Sequence, residues 1–72
     1  MNRQPLTTIQ KRTFDFVRSY SKENGFAPTR MEICEKFGWS SSNAANQVIM
    51  ALVRKGYIKL HEKLAARNLV VI

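Results

Sequence analysis

The sequence has one cysteine, two prolines, three glycines and only five acidic residues in 72. A lone Cys34 excludes an internal disulfide, so packing must hold the chain together. No apolar run approaches the roughly 18 residues that span a bilayer. The segment MNRQPLTTIQ has neither the apolar core nor the small-residue cleavage site of a secretory signal. A cytoplasmic location without a membrane partner is expected. There are no repeats or low-complexity tracts. His61 stands alone, with no cysteine or carboxylate cluster at ligand spacing, so no metal is expected. No nucleophile has a base beside it in any motif, and no glycine-rich loop could cradle a nucleotide phosphate. Neither cofactor nor enzymatic activity is expected. The most telling absence is local: from Lys36 to His61 there is no Asp or Glu at all.

What is present is positive charge. Twelve Lys and Arg against five Asp and Glu give a net charge of +7. Such a balance on a short chain favours a polyanion, and nucleic acid ahead of an anionic membrane surface. Membrane-surface binding is the weakest of these readings, because no helix pairs a basic face with a broad apolar one. A hydrophobic fraction of 44% is ordinary for a folded protein. Seventy-two residues supply one core, with residues 1–5 expected to be loose and 6–72 to form a single domain.

Helical periodicity governs the first two thirds. Thr7-Thr8-Ile9-Gln10 fits a capping box, and Ile9, Thr13, Phe16, Val17 and Tyr20 then share one face, with Phe14 at its shoulder. Asn24-Gly25 stops this helix, which spans about residues 8–23. Pro28 keeps Ala27 extended. Thr29-Arg30-Met31-Glu32 is a second capping box, opening a helix that runs to Phe37 and ends at Gly38. Trp39 to Ser41 make a turn, Ser41 caps a third helix from Ser42 to Lys55, and Gly56 ends it. The period then changes to two: Tyr57, Lys59 and His61 alternate with Ile58 and Leu60, and Leu69 to Ile72 read as a returning strand. Glu62 to Asn68 form the loop between them. The predicted fold is mainly α with a small β-hairpin, a three-helix winged helix-turn-helix.

The third helix has the chemistry of a reading surface. Ala45, Ile49 and Leu52 continue a buried stripe begun by Ile33 and Phe37. Ser41, Asn43, Asn46 and Gln47 point outward. A helix in the major groove needs small residues for close approach, here Ala44 and Ala45, and amide or guanidinium groups to pair with base edges. Asn and Gln pair best with adenine, so A·T-containing half-sites fit. The plainer reading is a solvated face of an amphipathic helix. Against it stand the absence of Glu–Lys pairs, the wholly positive flanks, and Lys63 and Arg67 in the loop where a backbone clamp belongs. Trp39 beside Gly38 reads as a core anchor and Cys34 as a small core hydrophobe. The four phenylalanines sit at core spacing, and Tyr57 fits either role.

At this length the chain resembles the N-terminal DNA-binding domain of the LexA repressor family. The resemblance runs through Leu6-Thr7, Phe14-Asp15, Arg18, Gly25, Pro28-Thr29-Arg30, Glu32-Ile33, Gly38, Ser41, Asn43-Ala44-Ala45, Leu52, Arg54-Lys55-Gly56 and Ile58, with Arg67 before an apolar strand. It implies that the third helix docks in the major groove and the wing lies on the backbone. The family's base-reading positions match Ser41, Asn43, Ala44, Asn46 and Gln47. At Asn46 and Gln47 the family typically carries two acidic residues, which accept from cytosine, so the docking mode carries over and the operator sequence does not. The family's self-cleaving serine protease domain, which also dimerises, has no counterpart in these 72 residues. A naturally short protein and a piece of a longer one fit equally.

The function expected is sequence-specific binding of double-stranded DNA and regulation of transcription, as a repressor, by operator occupancy. Arg30, Arg54, Lys55, Lys63 and Arg67 are the phosphate candidates. A monomer on one half-site should bind with affinity on the order of micromolar, tightened by self-association on a palindrome. The rival from another class is a protein-interaction adaptor or anti-repressor that binds a host regulator or polymerase. That reading requires an exposed apolar patch, for which Met50, Val53 and Tyr57 are the nominees. A third reading is charge-driven nucleic-acid binding without sequence preference.

Overall fold

A computed structural model describes residues 4–72. Three helices, α1 (Thr8–Asn24), α2 (Arg30–Phe37) and α3 (Ser42–Arg54), precede a hairpin of β1 (Ile58–Leu60) and β2 (Leu69–Val71). The strands are antiparallel, with Ile58 opposite Val71, Lys59 opposite Val70 and Leu60 opposite Leu69. This is the winged helix-turn-helix expected from the periodicity.

Each helix begins where its cap dictates. The Thr7 hydroxyl accepts from the Gln10 N–H while Gln10 accepts from the Thr7 N–H. Thr29 and Glu32 repeat the arrangement on α2. Such caps contribute about 1 kcal/mol each. Gly25 (φ 78°) and Gly38 (φ 72°) take the left-handed conformation that ends α1 and α2. On α3, Ser41 accepts from the Asn43 N–H, and Lys55 is the last cap rather than a helical residue.

The core lies where the three helices meet the hairpin: Val17, Ile33, Ala45, Ile49, Leu52 and Ile58 are at most 1% exposed. Phe14, expected at the shoulder of its face, is buried beside Thr13, whose hydroxyl donates to the Ile9 carbonyl. Ile9 instead reaches the surface. Cys34 is buried, and its thiol donates to the Ser41 carbonyl at 3.2 Å, tying α2 to the turn before α3. Trp39 is half-buried and stacks on Phe37 at 5.1 Å. Phe37 meets Phe16, Phe16 meets Tyr20 and Tyr20 meets Phe26, each edge to face. Phe26 departs from its expected core position. It is 48% exposed, with the Arg67 guanidinium over its ring at 4.6 Å. The cation shields one face of the ring from water, which lets an aromatic side chain sit at the boundary.

Two further departures concern loops. Residues 62–67 form 3-10 turns rather than a plain loop, kinked at Ala65 (φ 50°). Of the N-terminal residues expected to be loose, 1–3 lie outside the described residues. Gln4 and Pro5 are held: their carbonyls accept from the Tyr57 hydroxyl and the Lys55 ammonium at 3.0 Å each. Among the described residues no helix is long and apolar enough to cross a membrane.

Candidate nucleic-acid interface

The α3 stripe Ala45, Ile49, Leu52 is fully buried, and this fixes which side of the helix faces out. Ser41, Asn43, Asn46, Gln47 and Arg54 are exposed; Ala44 and Met50 are half-exposed between them. The side chains of Asn43, Asn46, Gln47 and Arg54 have no hydrogen-bond partner among the described residues, so their donors and acceptors are open to a ligand. The Ser41 hydroxyl accepts from the Asn43 N–H at 3.2 Å and keeps its own proton to donate. Of the five residues expected to read bases, Ser41, Asn43, Asn46 and Gln47 are therefore exposed and Ala44 is half-exposed.

That surface is flanked by two clefts. One lies toward α1 and is lined by Ile9, Gln10, Asn46, Gln47, Met50 and Arg54. The other lies at the start of α3 and is lined by Arg30, Ser42, Asn43 and Asn46. Each cleft thus joins at least one of the outward amides to an arginine and holds no carboxylate.

The five expected phosphate residues do not form one set. Lys63 is exposed at the wing, and its backbone N–H donates to His61 Nδ1 at 3.2 Å. Arg54 is exposed on α3, and Arg30 lines the second cleft. Arg30 also donates to Asn68 Oδ1 at 2.6 Å, and the other two are each engaged with several partners in the fold. Arg67 Nη1 donates to Glu32 Oε1 at 2.8 Å and to the Ala27 carbonyl at 3.0 Å, and Nη2 donates to Glu32 Oε2 at 3.3 Å. Glu32 also accepts from the Tyr20 hydroxyl and the Thr29 N–H. Arg67 therefore ties the base of the wing to α2. Lys55 donates to Gln10 Oε1 at 2.6 Å and to the Pro5 carbonyl, holding the chain start against the end of α3. Sequence reasoning missed both roles. The cue for the first was Glu32, the one acid in the opening turn of α2, which needed a cation from elsewhere.

This network sets one titration. The side-chain hydrogen bonds from Arg67, then the Thr29 N–H and the Tyr20 hydroxyl, hold the Glu32 carboxyl at about 2, well below its ordinary value of 4.5. The same contact raises the Arg67 guanidinium further above its ordinary range. Elsewhere the ion pairs of Asp15 with Lys11 (3.8 Å) and Arg18 (3.3 Å) are exposed, a class that contributes about 1 kcal/mol at most. Val53 and Tyr57 pack against the core and Met50 is half-buried, so these three do not build the exposed apolar surface an adaptor requires.

Comparison with known proteins accounts for the arrangement. The chain is similar to the LexA repressor of Alcanivorax borkumensis, with 52% identity over 56 residues, 78% of this chain and 28% of that protein. It is similar to the LexA repressor of Glaesserella parasuis, 45% identical over 60 residues, covering 83% and 29% respectively. The LexA repressor of Cupriavidus taiwanensis is 49% identical over 55 residues, covering 76% and 25%. The chain thus matches less than a third of the length of these relatives. The family model described as the LexA DNA binding domain matches residues 3–67, nearly the whole chain. With the winged fold and the exposed polar face of α3 already in place, the match shows that the chain belongs to the LexA DNA-binding domain family.

Proposed function

We propose that this protein represses transcription by occupying an operator in double-stranded DNA, with α3 in the major groove and the wing over the backbone. The observation that carries this is the outer face of α3, where amides with no partner among the described residues sit beside clefts that hold arginine and no carboxylate. Ser41, Asn43, Asn46 and Gln47 read base edges, with Ala44 making an apolar contact. Arg30, Arg54 and Lys63 take phosphates and fix register. The names of the relatives, all repressors, support the regulatory sign.

Asn46 and Gln47 offer both donors and acceptors, which suits adenine edges. Pairing of two copies on a palindrome, half-sites about 10 base pairs apart, would raise affinity above that of a single site. The test is selection from randomised duplexes at roughly physiological salt, where charge-driven binding is suppressed. An enriched motif with a log K against log salt slope of about −3, for three phosphates, is the expected result. Binding that disappears with salt and enriches no motif would refute sequence-specific repression.

A further inference from the structure

Arg30 and Arg67 are both gripped across the α2–wing junction, and they are gripped differently. Arg67 meets a carboxylate, Glu32. Arg30 meets a neutral amide: its Nη1 donates to Asn68 Oδ1 at 2.6 Å, across 38 positions of sequence. We propose that Asn68 is a positioning residue for DNA binding, holding the Arg30 guanidinium beside the start of α3 while leaving its charge intact for a phosphate. This rests on the DNA-binding reading above and adds a residue that touches no DNA.

Asn68 is itself anchored at the base of the wing. Its backbone carbonyl accepts from the His61 N–H at 2.8 Å, so the residue is pinned as the pair that begins the hairpin. A side chain on so fixed a backbone makes a rigid holder. Its neighbour Arg67 bonds both oxygens of Glu32, two residues beyond Arg30 on α2. The nearest carboxylate in sequence is thereby occupied. Arg30 forms no ion pair among the described residues. Its cleft-mates Ser42, Asn43 and Asn46 are uncharged.

An ordered guanidinium loses less rotamer freedom when it binds, and one fixed in place favours association in the way preorganisation generally does. A carboxylate would order it equally well but would cancel the charge that displaces counterions from DNA. An amide oxygen orders without cancelling. One of the five N–H donors is used on Asn68, and four remain.

The experiment measures binding of the full chain to its selected duplex over a salt series, for Asn68→Ala, Asn68→Asp, Arg30→Ala and the Asn68→Ala/Arg30→Ala double variant. Asn68→Ala should bind about threefold to tenfold more weakly, the ratio for re-ordering one long side chain. It should add nothing once Arg30 is removed. Asn68→Asp keeps the shape and hydrogen bond, so it should melt no lower than the parent. It should nevertheless bind more weakly than Asn68→Ala, with a salt slope shallower by about 0.9. A merely structural residue would not lose binding while keeping its melting temperature. Losses from Asn68→Ala and Arg30→Ala that simply add, or an aspartate variant with parental slope and affinity, would overturn the proposal. If the alanine variant does not fold, the aspartate variant decides when combined with Arg30→Ala: its loss should largely vanish there, and a loss that persists unchanged would overturn the proposal. Absence of sequence-selective binding by the parent would count against the proposed function instead.

Discussion

The junction between α2 and the wing and the outer face of α3 lie side by side and are built on opposite rules. At the junction polar groups find partners inside the protein: Glu32 accepts from Arg67, Thr29 and Tyr20, and Arg30 donates to Asn68. On α3, the side chains of Asn43, Asn46, Gln47 and Arg54 have none among the described residues. Satisfied groups contribute to holding a shape; unsatisfied groups at the surface are paired with water, and a ligand can take water's place. The difference separates residues that hold the domain's shape from residues left open to a ligand.

Mutations should divide along the same line. The largest effect is expected in the shared core beneath both regions. Leu52→Ala removes a fully buried side chain from α3 and should cost about 2–5 kcal/mol, enough to threaten a domain this small. A denaturant melt should show the loss, with DNA binding falling alongside. Next in size, Asn43→Ala or Gln47→Ala should reduce discrimination among duplexes by about 1–3 kcal/mol per pairing lost, with stability within about 0.5 kcal/mol of the parent. Competition binding on matched and mismatched duplexes reads the first quantity and a thermal melt the second. A large fall in melting temperature would break the division by placing these residues in the fold.

The two wing cations sharpen it. Lys63→Ala should make the salt slope shallower by about 0.9, weaken all sequences alike and leave the melt unchanged. Arg67→Ala should do the reverse, lowering the melting temperature while the slope stays. Exchange of these outcomes would return Arg67 to the phosphate set.

The smallest effect expected is a dependence on acid. Glu32 titrates lower in the folded protein, at about 2, than its ordinary 4.5. Its contribution is therefore complete above the ordinary value and is lost as pH falls from there toward 2. Melting temperature should decline across that window, and Glu32→Gln should flatten the decline while lowering stability at neutral pH. Parallel curves for the two proteins would show that the junction does not depend on this charge.

Local chemistry was legible from the residues alone where it acts over one turn or one period. The two capping boxes, Gly25 and Gly38 placed the ends of α1 and α2, and the spacing of Ala45, Ile49 and Leu52 oriented α3. Long-range pairing was not legible. Phe26 looked like core because its hydrophobicity is visible in sequence and its stacking partner Arg67, 41 positions away, is not. Lys55 looked free because its acceptors come from the other end of the chain.

The sequence by itself determined three helices, a hairpin, a polar outward face on α3 and an excess of positive charge, since each follows from propensity, period or composition. Only the tertiary structure decided which cations find partners inside the fold and which do not. Arg67 is paired with a carboxylate, while Lys55 and Arg30 are held by neutral oxygens that leave their charge intact. The physical reason is that a charge declares its sign in the sequence, but its availability depends on what folding brings within about 3 Å of it.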